Sequence, residues 1–442
     1  MFLYPDDAVT GVTGPMDYKY MKWLRFVLRI ISSWPGKALG EKTLKIEGMG
    51  HAYYNTILSI VYLILGVSFL KLNSYRFTFL QLGHLYIGLL MNILSTVTFT
   101  LCLSQKYRSV AKIFIQKIHL FYYKEKSDFA MEVSITIHIM YLLTNMLWLT
   151  VLLFNLIPMY NNYSAGNFKA LRPMANATYE HAVYFEFEDN GIVMARPLSI
   201  YIYKFYINLK NPRKISMKFV NCRYASILCG ITISMFDLFL CLMIFNLWGH
   251  FKILIHTLDN FPRPATILAN EEQQHNAIIA GSEMYSESEL EIVTIKLKEC
   301  IQYHMVIVDF TDRMSDAFGL ALFVYYMFHQ VSGCLLLLEC SHMSAAALTR
   351  YLPLTMILFG ELILLSVIFE TIGSMSEKLK DAVYNMPWEY MDTRNRRTVL
   401  IFLIRVQEPI HVKAGGLVNV GVTTMASILK TSFSYYAFLR TF

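Results

Sequence analysis

Charge is scarce in this sequence: only 16% of its 442 residues are Asp, Glu, Lys or Arg, whereas 55% are hydrophobic. That balance excludes an ordinary soluble domain and a disordered chain, and it points to an integral membrane protein. Cysteine is sparse as well. The seven present (Cys102, Cys222, Cys229, Cys241, Cys300, Cys334 and Cys340) are scattered, odd in number and mostly inside apolar runs. They read as small core residues, not as a disulfide framework or a metal site. Catalytic signatures are missing too, since the chain has no Walker A loop, no G-x-S-x-G elbow, no H-E-x-x-H and no Cys-x-x-Cys pair. An enzyme is not expected, and no cofactor or metal is implied. No cleavable-signal pattern opens the chain, because Asp6, Asp7 and Asp17 interrupt it before any long apolar run. The N-terminus is therefore expected in the cytoplasm. The formal charge of +7 flanks apolar runs instead of forming one dense tract, so membrane lipids and not nucleic acid are the expected partner.

What is abundant is long hydrophobic runs. A membrane-spanning helix needs about 20 apolar residues. Six runs approach this, at roughly 54–71, 83–104, 133–158, 224–249, 316–338 and 350–370. A seventh begins at Val399, is broken by Arg405, Glu408, Pro409, Lys413 and the Gly415-Gly416 pair, and then resumes to the end. Pro and paired Gly interrupt helices, so the last span divides into two segments of which only the second need lie in the membrane.

Two arguments give the orientation. With the N-terminus inside, the N-terminal segment, the 105–130 loop and the 371–398 loop carry seven, six and five Lys or Arg, against four on the short outer segments. That is the bias expected of cytoplasmic loops. The only N-x-S/T sequons, at Asn162 and Asn176, fall in the loop between the third and fourth spans, which this topology places outside as a candidate glycosylated loop. Seven spans then leave the C-terminus extracellular. The basic segment 204–218 lies in the same outer loop, and the acidic stretch inside 250–310 reads as an insertion between cytoplasmic extensions of spans four and five.

Two acids sit inside apolar runs, Asp237 and Glu361. Charge in a bilayer is costly, so each must face protein or a wet cavity, either as an interhelical anchor or in ion permeation or ligand sensing. His138 and His329 read as packed, hydrogen-bonded histidines more readily than as ligands. Seven spans invite comparison with a G-protein-coupled receptor, but Asp312-Arg313-Met314 precedes span five and Glu408-Pro409-Ile410 stands where an N-P-x-x-Y would be expected. That class and a secondary transporter with an acidic proton relay are the alternatives.

The final helix carries a distinct pattern. Ser427, Thr431, Ser434, Phe438 and Thr441 follow steps of four, three, four and three, which places them on one face. Several copies of such a face around an axis would enclose a water-filled pore that an apolar ring closes by dewetting. Small hydroxyl residues also simply let helices approach within one chain.

The tail "YNMPWEYMDTRNRRTVLIFLIRVQEPIHVKAGGLVNVGVTTMASILKTSFSYYAFLRTF" resembles the C-terminal signature of insect odorant receptors. Its "MPWE", "VQEPIHVKA" and "VGVTTMASILKTS" strings, together with "SSWPGKALGE" at Ser32–Glu41, are most similar to the moth sex-pheromone receptor branch. The resemblance implies an all-α membrane protein of seven transmembrane helices with a cytoplasmic N-terminus, an extracellular C-terminus and a split last helix. It implies a subunit of a ligand-gated, non-selective cation channel, assembled as a heterotetramer with the olfactory co-receptor in the plasma membrane of olfactory dendritic cilia. Its ligand would be a long-chain volatile (fatty alcohol, aldehyde or acetate), delivered by a pheromone-binding protein. The expected organisation is a cytoplasmic segment over 1–50, then spans one to six with the ligand pocket over 51–371. Within that stretch lie an outer loop at about 159–222 and an inner loop at about 250–312, and a cytoplasmic anchor over 372–412 and a pore helix over 413–442 follow. The family's pore positions correspond to Phe438 and Thr441, where Phe departs from the more usual Leu or Val. Its pocket, between spans two, three, four and six, points to Tyr86 and Leu90 on span two and to Tyr141, Thr144, Asn145 and Trp148 on span three. Asn145 is the candidate reader of a terminal polar group.

Overall fold

The computed structural model describes residues 14–30, 33–41, 49–73, 83–126, 213–265, 284–341 and 345–440. The elements are α1 (Lys19–Ile30), α2 (Met49–Asn73), α3 (Gly83–Leu103), α4 (Gln105–Ile113), α5 (Arg213–Asp259), α6 (Glu287–Ser341), α7 (Ala345–Tyr384) and α8 (Thr393–Val406). They are followed by β1 (Lys413–Ala414), β2 (Val418–Asn419) and α9 (Val422–Arg440). Six of the seven expected spans fall on α2, α3, α5, α6, α7 and α9. The third, 133–158, lies outside the described residues, as do His138, Asn162 and Asn176.

Four described helices are long and apolar enough to cross a bilayer, through Tyr86–Leu103, Met235–Asp259, Glu287–Leu338 and Thr355–Tyr390. Length adds a constraint. At 1.5 Å per residue the 55 residues of α6 extend about 80 Å, well beyond a hydrocarbon core of about 30 Å, so much of α6 stands outside the membrane. Helix α5 begins at Arg213, ahead of the apolar run expected from about 224. Lys and Arg are good helix formers, so a helix runs past the point where its apolar stretch ends.

Helix ends are set locally. The Ser104 side chain caps α4 by accepting from the Tyr107 N–H at 3.3 Å. Asp392 caps α8 through the N–H groups of Asn395 and Arg394, at 3.2 and 3.3 Å. Amphipathic α1 buries Met21, Leu24, Val27 and Leu28 on one face. The segment after it folds back because Glu41 Oε2 receives Arg29 at 2.8 Å, Arg25 at 3.0 Å and the Trp34 indole N–H at 3.1 Å. At the centre stands α6, which touches α3, α4, α5, α7, α8, β1 and α9. Its buried Phe310, Met314, Phe318 and Leu322 join Phe239 and Leu240 of α5 and Ile372 and Leu379 of α7 in one continuous core.

Candidate pore helix and ligand-facing surfaces

The break before α9 is a small antiparallel hairpin. Lys413 pairs with Asn419 and Ala414 with Val418, and the turn places Gly415 and Gly416 at φ of 59° and 72°, a region L side chains avoid. Paired glycine thus reverses the chain here and does more than end a helix. The Gly415 N–H donates to the Gly319 carbonyl at 2.8 Å, which docks the hairpin on α6. A side chain at Gly319 would press on the Lys413 carbonyl at 3.0 Å. The first N–H of α9, at Val422, donates to Glu370 Oε2 of α7 at 2.9 Å, so a carboxylate sits at the positive end of the helix.

Further along, α9 is clasped to α6 through Gln330. Thr431 Oγ1 donates to Gln330 Oε1 at 2.6 Å, Gln330 Nε2 donates to Ser432 Oγ at 3.3 Å, and Ser432 Oγ in turn contacts the Gln330 carbonyl at 3.3 Å. Gly333 leaves room for Ser432 and for the ring of Phe359, which stacks on Phe433 at 6.3 Å. Of the hydroxyl stripe, Ser427 and Ser434 are exposed, Thr431 is half-buried against α6, Phe438 is 58% exposed and Thr441 lies outside the described residues. Ser434 bonds the Lys430 carbonyl of its own helix at 2.9 Å. Hydroxyl spacing alone could not reveal the clasp, because fully buried Ser432 is one position off the stripe and its partner lies 102 residues away.

Of the residues expected to face a ligand, Tyr86 and Leu90 are half-buried on α3, whereas Tyr141, Thr144, Asn145 and Trp148 lie outside the described residues. Next to Tyr86, Ile87 packs on Leu336 of α6 and Leu358 of α7, so three helices converge at this level. A polar contact missed by the sequence reading joins α2 to α3: Ser59 Oγ meets Thr96 Oγ1 at 2.7 Å and Asn92 Oδ1 at 3.4 Å. Asp237 of α5 and Glu361 of α7 interact electrostatically with each other and with the buried Tyr325 hydroxyl of α6. His329 is buried as expected, but neither ring nitrogen makes a hydrogen bond of ordinary geometry, and the Leu358 carbonyl offers only an electrostatic contact. The Tyr325 and Ser332 hydroxyls are likewise buried without a partner. Each such group costs about 1–3 kcal/mol if nothing else meets it.

At the α4 end, polar groups are matched. His250 Nε2 bonds the Ile118 carbonyl at 2.5 Å, so this nitrogen carries the proton, and Nδ1 accepts from the Tyr303 hydroxyl at 2.6 Å. Nearby His119 accepts from the Phe121 N–H at 3.2 Å. Burial, with His250 adding a smaller effect, pushes its pKa down to about 3. Among the described residues no three metal-ligating side chains gather.

The family model described as 7tm Odorant receptor matches residues 87–433. Odorant receptor 85c of Drosophila melanogaster is 27% identical over 148 residues, 33% of this chain and 38% of that protein. Odorant receptor Or2 of Anopheles gambiae is 28% identical over 155 residues, 33% of this chain and 39% of that one. The chain thus spans well under half the length of these curated relatives. The solved structure of the insect olfactory receptor OR5 from Machilis hrabei shares the fold, with a TM-score of 0.65 at 13% identity over 95% of this chain and 97% of that one. The same receptor in complex with eugenol also gives 0.65, at 14% identity over 96% and 98%. With the model spanning most of the chain and a helical fold to match, this protein belongs to the 7tm odorant receptor family.

Proposed function

We propose that this chain is a subunit of a ligand-gated, non-selective cation channel that detects a long-chain volatile together with the olfactory co-receptor, at the plasma membrane of olfactory dendritic cilia. The carrying observation is the two-sidedness of α9. Gln330 clasps it to α6 through Thr431 and Ser432, while Ser427, Ser434 and Phe438 of the hydroxyl stripe stand exposed on a single subunit. A fourfold arrangement of that face would line a pore with hydroxyls and close it at Phe438. Leu400, Ile401 and Ile404 on α8 are exposed as well and supply an apolar surface for contact between subunits in the anchor region. Apolar walls around Tyr86, Leu90 and the expected third span suit an alkyl chain, at about 0.8 kcal/mol per buried methylene. A related receptor solved with eugenol supports a volatile as ligand. Gating follows if the ligand binds the open arrangement more tightly than the closed one.

The test is whole-cell recording from cells expressing this chain with the co-receptor, under blockade of G-protein signalling. The expected result is a cation current evoked by fatty alcohols, aldehydes or acetates. No current from any compound of these classes would reject the channel reading. Phe438→Ala should raise basal current or alter ion selectivity, and an unchanged channel would remove Phe438 as the gate.

A further inference from the structure

The unmatched groups on α6 share one face. Tyr325, His329 and Ser332 follow steps of four and three, and the Tyr325 and His329 rings lie 4.2 Å apart between centroids. All three are almost completely buried, and their polar atoms lack hydrogen-bond partners. Asp237 and Glu361 act on the Tyr325 hydroxyl from the flanking helices. A lipid-embedded core has no bulk water to meet such groups, so several side by side mark a place where something binds.

We propose that Tyr325, His329 and Ser332 form a membrane-embedded site for a hydroxyl group. The donor and acceptor inventory selects that chemistry. A neutral imidazole offers one donor and one acceptor, and the Tyr and Ser hydroxyls can take either role. An ether or carbonyl accepts only and leaves the ring acceptor unmatched, and an ammonium donates only and leaves the ring donor unmatched. A metal ion is disfavoured, since no three ligating side chains gather among the described residues. The hydroxyl comes from a bound water or from the end of an alcohol ligand. The second source rests on the reading of the chain as a receptor for a volatile amphiphile.

The test uses purified full-length receptor in lipid nanodiscs, with no current measured, so failure of the channel reading leaves it intact. Thermal-shift titrations compare straight-chain alkan-1-ols of ten to sixteen carbons with their methyl ethers, on the wild type, Tyr325→Phe and Ser332→Ala. If the alcohol is the source, the wild type prefers alcohol over ether by about tenfold, equivalent to about 1.4 kcal/mol, and both variants lose most of that preference. If water is the source, alcohol and ether bind alike and both variants lower the unfolding temperature without ligand. The proposal is overturned if the variants retain the wild-type preference, or if there is no preference and they unfold at or above the wild-type temperature. For a variant that does not fold, an experimental density map of the wild type decides, because absence of density between Tyr325, His329 and Ser332 overturns the site.

Discussion

Two buried histidines on neighbouring helices have opposite surroundings. His250 on α5 is matched at both nitrogens, by the Ile118 carbonyl and the Tyr303 hydroxyl, and the edge of the Tyr123 ring packs 4.7 Å from it. His329 on α6 is just as buried, yet its ring lies against Tyr325 at 4.2 Å and Phe328 at 5.2 Å, with no hydrogen bond of ordinary geometry at either nitrogen. The difference separates two uses of a buried polar group. A matched group fixes one packing arrangement, whereas an unmatched one is held ready for an occupant.

The largest effect should come from the matched side. His250→Leu leaves the Tyr303 hydroxyl and the Ile118 carbonyl unpaired, a loss of roughly 2–6 kcal/mol from about 1–3 per group, read as a lower unfolding temperature in nanodiscs. A shift within experimental error would show that matching is not what distinguishes this histidine.

Next comes Gln330→Leu, which removes the clasp while leaving the α6 backbone intact. It should cost about 1–3 kcal/mol and increase basal current, because Thr431 loses its partner on α6 and Ser432 keeps only its bond to the main-chain carbonyl of residue 330. Unaltered basal current, with the stability loss present, would confine Gln330 to packing.

Acid should weaken the matched side by a smaller amount. The folded-state pKa of His119, near 3, lies below the ordinary 6.5, so the unfolded chain binds the proton more readily. The stabilisation is therefore full above about pH 6.5 and is lost as pH falls, at about 1.4 kcal/mol by pH 5.5. His119→Gln should flatten that part of the profile of unfolding temperature against pH, and an equally steep profile would assign it to other groups.

The smallest effect should fall on the unmatched side. His329→Phe removes no hydrogen bond of ordinary geometry to the protein, so where an alcohol and not water is the occupant, stability should change by less than about 1 kcal/mol in its absence. A loss as large as that of His250→Leu would show that His329 is structural and erase the contrast.

Much of this organisation was legible because partition into a bilayer depends on local composition. Apolar runs located the spans on α2, α3, α5, α6, α7 and α9, and the Gly415-Gly416 pair marked the break before the last helix. Acids in apolar runs flagged Asp237 and Glu361, and the tail carried the family resemblance that the family model then established. Hydropathy could not say where helices stop: α5, α6 and α7 run to 47, 55 and 40 residues because Lys, Glu and Arg continue a helix that lipid no longer requires.

Sequence alone therefore determined the class, the spans and the polar stripe, since each rests on residue type and a period of 3.6. Tertiary structure decided which of those polar groups have partners. Gln330 meets Thr431 across 101 residues, and Gly319 receives Gly415 because two backbones approach where no side chain intervenes. His329 is left without a hydrogen bond of ordinary geometry, with the Tyr325 and Phe328 rings against it. Such pairings depend on the rotation of one helix against another, which packing of the whole bundle sets and no local window of sequence contains.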